Sequence, residues 1–89
     1  LTMQYTVVHS KDPYLLARLA TDLQMNLNRI FCEEDGLTDT PFLDGKEWLC
    51  LYRNRRIGFY SHDCRDADER RFLITDDNYI KVLTQILEV

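Results

Sequence analysis

Eighty-nine residues, 45% apolar and 29% charged, make room for one small domain that buries roughly 60–65% of its unfolded surface, and they exclude a disordered or fibrous chain. The net charge of −4 is spread as four basic and eight acidic side chains in residues 1–50 and seven of each in 51–89, which argues against binding driven by phosphate-backbone charge. No apolar run approaches the ~20 residues of a membrane span and no signal-type segment is present, so no membrane is expected as a partner, the cytoplasm is the expected location and Met3 the natural start.

Residues 4–9, Gln-Tyr-Thr-Val-Val-His, are short and β-branched and read as a first strand. Pro13 suits the first helical position and makes Asp12 the N-cap. Leu15, Leu19, Leu23, Leu27 and Phe31 recur every fourth residue, with Leu16, Ala20 and Ile30 widening the stripe, so a helix is expected from Pro13 to about Phe31. Arg18, Asp22, Asn26 and Arg29 fall on or near its opposite side. Residues 32–46 carry no period and read as a long polar connection, with Phe42 and Leu43 able to pin its middle to the core. Residues 47–60 then spell a β-hairpin about Asn54-Arg55. Residues 62–70 are a polar excursion, 71–75 a last strand, and Asp76-Asp77 the cap of a terminal helix whose apolar face is Tyr79, Ile80, Leu83, Ile86 and Leu87. The expected fold is a single α+β domain over residues 1–89, of order β-α-β-β-β-α, with two helices on one face of a mostly antiparallel four-stranded sheet.

Three cysteines, Cys32, Cys50 and Cys64, are widely spaced without a CxxC pair, and an odd count without a secretion signal points to reduced thiols, Cys50 serving as a small core residue. A metal is not expected. His62 and Cys64 form one loose pair, with His9, Cys32 and Cys50 as distant partners, where structural zinc sites show two close pairs. The acidic residues Glu33, Glu34, Asp35, Asp39 and Asp44 lack the alternating calcium-ligand register and read as a solvated loop or a secondary patch for a basic protein. Nor is a catalytic residue or a cofactor expected. In His9-Ser10 and Ser61-His62 a strand sends the two side chains to opposite faces, and three glycines cannot build a phosphate loop. The best functional candidate is the hairpin tip: Arg53, Arg55 and Arg56 with Tyr52 and Tyr60. Arginine and tyrosine together suit a protein interface or, as the lesser alternative, single-stranded nucleic acid; a solvated turn neutralised by Asp63, Asp66 or Asp68 is the plain structural reading.

The run Trp48-Leu49-Cys50-Leu51-Tyr52-Arg53-Asn54-Arg55-Arg56-Ile57-Gly58-Phe59-Tyr60 resembles the second and third strands of the GNAT acyltransferase family, with residues 4–31 in the place of that fold's first strand and helix. The resemblance implies acyl-coenzyme A as ligand. The chain departs from the family where coenzyme A pyrophosphate is bound: the Gly-rich turn is replaced by Leu73-Ile74-Thr75-Asp76-Asp77-Asn78-Tyr79, and the resemblance then implies a shortened relative without catalysis. The leading expectation is a small binding or regulatory protein acting through a protein partner, of the kind encoded by viruses and mobile elements. An edge strand at 71–75 or 4–9 also leaves homodimerisation open.

Overall fold

The computed structural model describes residues 6–27, 30–33, 36–37, 45–52, 56–63 and 70–88, and for residues 27, 30–33 and 36–37 the backbone alone. Six strands and two helices follow in the order β1 (Thr6–His9), α1 (Pro13–Leu27), β2 (Ile30–Glu33), β3 (Gly36–Leu37), β4 (Trp48–Leu51), β5 (Arg56–Tyr60), β6 (Arg70–Leu73) and α2 (Tyr79–Leu87). The strands form one sheet in the spatial order β3-β2-β5-β4-β1-β6. The fold is α+β, and the four strands and two helices expected from the sequence occur in the expected order. Two short strands extend the sheet, and β1 with β6 and β2 with β5 run parallel while the other three pairings are antiparallel.

Those extra strands come from residues first read as helix end and loop. Leu27, Ile30 and Phe31 fit a helical stripe, but α1 stops at Leu27, and Ile30-Phe31-Cys32 lies parallel to β5, with Ile30 opposite Arg56 and Phe31 opposite Ile57. A short apolar run with a β-branched and an aromatic residue satisfies either period, and the exposed ladder of β5 decides the matter. The edge assignment also changes. Strand β1 is interior, between β4 and β6, so of the two strands proposed as edges only the last is one.

The start of α1 is built as its sequence predicts. Asp12 Oδ1 accepts the Tyr14 N–H at 3.0 Å, and the Asp12 carbonyl accepts the Leu15 N–H at 3.0 Å. Buried Ser10 adds a bond, its Oγ accepting the Asp12 N–H at 3.1 Å. Val8, Leu49, Leu51, Ile57 and Phe59 share one sheet face by register and pack with Leu15, Leu16, Leu19, Ala20 and Leu23 of α1 and Tyr79, Val82 and Ile86 of α2. Both helices therefore cover that face. On α2 the buried positions are Tyr79, Val82 and Ile86, and Ile80, placed on the apolar face by the sequence reading, is 63% exposed. The α2 N-cap is Asn78 rather than either aspartate. Its amide bridges backward instead of capping, accepting the Thr75 N–H at 2.8 Å and donating to the Leu73 carbonyl at 2.9 Å.

Polar contacts at Tyr79 join the helices. The Tyr79 hydroxyl donates to Asp22 Oδ2 at 2.5 Å, and the Arg18 guanidinium lies 3.9 Å from the Tyr79 ring centroid. Arg18 and Asp22, read from the sequence as the polar side of α1, thus face α2. Burial first, then the bond to Asp22 and its negative charge, push the Tyr79 phenol well above its usual range, with Arg18 opposing. A phenol whose pKa is raised by folding stabilises the protein fully below the unfolded value of about 10, and that stability falls as pH climbs beyond it. Denaturant titrations should show unfolding free energy declining above about pH 10 in the native protein. In Tyr79→Phe that alkaline loss should shrink, with stability at pH 7 lower by about 1–2 kcal/mol for the lost bond to a carboxylate.

Candidate functional site

The sheet face opposite the helices carries the polar and aromatic side chains. Register sets them in two rows. Leu73, His9, Trp48 and Tyr60 form one across β6, β1, β4 and β5; Arg71, Val7, Cys50 and Gly58 form the other. Strand alternation explains the sorting: every second residue of β1, β4, β5 and β6 leaves the helix-covered face.

In the first row the rings of His9 and Trp48 stack at 4.1 Å between centroids, and His9 Nε2 lies 3.2 Å from Glu47 Oε1. Glu47 is held there by its backbone, whose carbonyl accepts the Ser10 N–H at 3.0 Å and whose N–H donates to the Tyr60 carbonyl at 3.1 Å. The Arg71 guanidinium carbon sits 5.7 Å from the Trp48 ring centroid, and Arg71 Nη2 is 2.6 Å from Asp63 Oδ2. Val7, His9, Trp48, Arg71, Phe72 and Leu73 line an open cleft of ≈ 290 Å³ here. Leu73 stands at its rim, 58% exposed. A second cleft of ≈ 370 Å³ lies beside the start of α1, between Ser10-Lys11-Asp12 and residues 73–76, with Leu15 in its wall.

Of the hairpin-tip residues, Tyr52 and Tyr60 are half-buried and meet hydroxyl to hydroxyl, and Arg56 is exposed. The expected hairpin is present, with Trp48 opposite Tyr60, Leu51 opposite Ile57, and the Tyr52 N–H donating to the Arg56 carbonyl at 2.9 Å, a register centred on position 54 where the sequence reading put it between Asn54 and Arg55. Arg53 and Arg55 lie outside the described residues, as do Glu34, Asp35, Asp39 and Asp44; Glu33 is placed only as the last residue of β2. The tyrosine pair depends on Gly58. The Tyr60 ring folds back over it, and a Cβ at position 58 would lie 2.7 Å from Tyr60 Cε2 and 2.8 Å from its hydroxyl. Gly58→Ala is expected to turn the Tyr60 ring away and break its contact with Tyr52, at a cost of about 1 kcal/mol or less, since a side-chain end can yield. The near-ultraviolet tyrosine dichroism should change while the far-ultraviolet spectrum does not.

Two features of this face were not anticipated. Cys50, expected to be a reduced core thiol, is fully buried but disulfide-bonded. The cluster of His9, Glu47, Trp48 and Arg71 was missed because its members come from three strands. Only the alternation of Trp48 with Cys50 and Tyr52 hinted that the indole belongs to this face. Among the described residues no group of three or more His, Cys, Asp or Glu side chains is arranged to hold a metal ion, and no helix is long and apolar enough to cross a membrane. Comparison with protein-family models, with curated proteins and with solved structures finds no match to this chain.

Proposed function

We propose that this is a small binding protein that acts through a protein partner, seated on the Trp48 cleft and its Leu73 rim, with the tip residues Tyr52, Arg53, Arg55, Arg56 and Tyr60 as a second contact surface. The observation that supports it is the setting of Trp48: half-buried, stacked on His9, beside Arg71, and opening on an exposed leucine. Tryptophan and arginine at the edge of an apolar cleft are the residue types that anchor protein interfaces. His9 already faces Glu47 and Trp48, and the Ser10 oxygen serves the start of α1, which favours recognition over bond-making. The disulfide at Cys50 suits an oxidising compartment better than the reducing cytosol expected from the sequence.

Two other readings make different demands. Acyl-coenzyme A would need phosphate-binding donors at the β6–α2 junction, but there the Thr75 N–H is taken by Asn78 and Asp76 and Asp77 are exposed. Binding there would show as a thermal shift with acetyl-coenzyme A. Single-stranded nucleic acid would bind in a salt-sensitive way that Arg53→Ala, Arg55→Ala and Arg56→Ala together abolish. A second copy paired along β6 is an alternative occupant of the rim. The strand offers only four residues, however, and Asn78 already occupies the Leu73 carbonyl.

The test is site-specific photo-crosslinking in cell extract, with the probe at position 73 or, as a control on the helical side, at position 25, where Met25 is 78% exposed. A protein crosslinked from 73 and not from 25, with capture weakened at least ~10-fold by Trp48→Ala, is the expected result. Capture from position 25 alone, or capture indifferent to Trp48→Ala, overturns the proposal.

A further inference from the structure

Among the described residues β6 is the last strand of the sheet, and an outer strand offers its backbone to any other strand that approaches. Its inner side is fixed by register. Thr6 to His9 lie parallel to Arg70 to Leu73, and the Ile74 N–H continues the ladder by donating to the His9 carbonyl at 2.9 Å. Backbone groups of successive strand residues point to alternate sides, so those of Leu73 and the Thr75 N–H face away from β1. A parallel strand added there would set one residue against Ile74. That residue would donate its N–H to the Leu73 carbonyl and accept the Thr75 N–H with its own C=O. The side chain of Asn78 makes both bonds instead: Nδ2 donates to the Leu73 carbonyl at 2.9 Å, and Oδ1 accepts the Thr75 N–H at 2.8 Å. One partner only accepts and the other only donates, so the amide fits in a single orientation.

Two observations set this contact apart from ordinary helix capping. Asn78 is the N-cap of α2, its carbonyl accepting the Val82 N–H at 2.9 Å, yet its side chain makes no capping bond. An N-cap asparagine ordinarily accepts an N–H of the first turn. Charged side chains are common guards of an edge, and those of β6 are engaged elsewhere. Arg70 reaches back to Thr6 Oγ1 at 3.3 Å and to the Gln85 carbonyl at 3.4 Å, and Arg71 pairs with Asp63. We propose that the Asn78 carboxamide is a surrogate strand residue that closes the outer edge of β6 to a second copy of this chain. A strand of either polarity laid along 73–75 needs the Leu73 carbonyl, and Asn78 holds it. With that edge closed to a copy, the Leu73 rim is left to a different partner.

Gel filtration with light scattering tests the guard, on protein treated with iodoacetamide so that no disulfide forms between copies. The native chain should give its monomer mass of 10.6 kDa throughout a concentration series. Asn78→Ala should keep the native far-ultraviolet spectrum while its mass rises toward twice that value with concentration. Adding Leu73→Pro should restore the monomer. The Leu73 N–H faces outward, so proline there removes no bond to β1 and obstructs an added strand. If Asn78→Ala loses the native spectrum, Asn78→Ser takes its place. Serine is an equally good N-cap, is too short to span both backbone groups, and should dimerise in the same way. A folded variant that stays monomeric, or a dimer that persists with Leu73→Pro, overturns the proposal. So does a native protein that is already a dimer and that Leu73→Pro dissolves.

Discussion

Phe59→Ala should lower the free energy of unfolding by about 3–5 kcal/mol, a large share of what a domain of this size possesses. Phe59 lies on β5 opposite Leu49, is 1% exposed, and belongs to the cluster that joins the sheet to both helices. Truncation removes most of the ring's contacts and leaves a cavity between strand and helix that backbone-constrained neighbours can fill only in part. Met25→Ala is the matched control. Although equally apolar, Met25 is 78% exposed on α1, and its loss should change stability by less than about 0.5 kcal/mol. Urea titrations of the two variants at equal protein concentration give the comparison. A Phe59→Ala midpoint close to that of the native protein would mean that the sheet does not pack on the helices as described.

Reducing the disulfide should have the second largest effect. Closing a loop of about 15 residues removes roughly 3 kcal/mol of chain entropy from the unfolded state, and a loop to either remaining cysteine is of that order. The prediction therefore does not depend on the partner of Cys50, only on the bond being present. The denaturant midpoint should fall on adding dithiothreitol and return on reoxidation, and Cys50→Ala should be insensitive to the reductant. Coincident midpoints with and without dithiothreitol would contradict the bond. The opposed sequence expectation rested on an odd count and an absent signal, which describe a cell compartment and not a geometry. Which cysteines meet is a matter of strand register, and register is not written in cysteine spacing.

Other readings divided in the same way. The start of α1 was legible because Ser10, Asp12 and Pro13 act within a few residues of one another. The hairpin was legible for the same reason, but its register was not: Leu51 opposite Ile57 centres the pairing on position 54, half a residue from the centre expected between Asn54 and Arg55. The strand character of 30–33 was not, since Ile30 and Phe31 satisfy a four-residue repeat until a parallel neighbour claims them. Edges were equally hidden: β1 became interior only because β6, 64 residues later, pairs with it. The candidate site shows the limit most directly. Tyr52, Arg56 and Tyr60 were found by proximity in the chain, whereas Trp48, His9 and Arg71 meet through pairings that no local pattern announces.

The interior position of β1 has a further consequence for how the molecule comes into being. Its two neighbours, β4 and β6, begin about forty and sixty-four residues downstream, so β1 has neither of its partners until about forty further residues have been made. Until β4 arrives, Val7 and Val8 sit in a naked β-branched segment of the kind that invites pairing between nascent chains. Contacts so distant along the chain place this domain among proteins that fold in milliseconds to seconds instead of microseconds. Its vulnerable interval is thus during translation, and protection by a chaperone would be needed at β1, whose Val7 and His9 later line the Trp48 cleft.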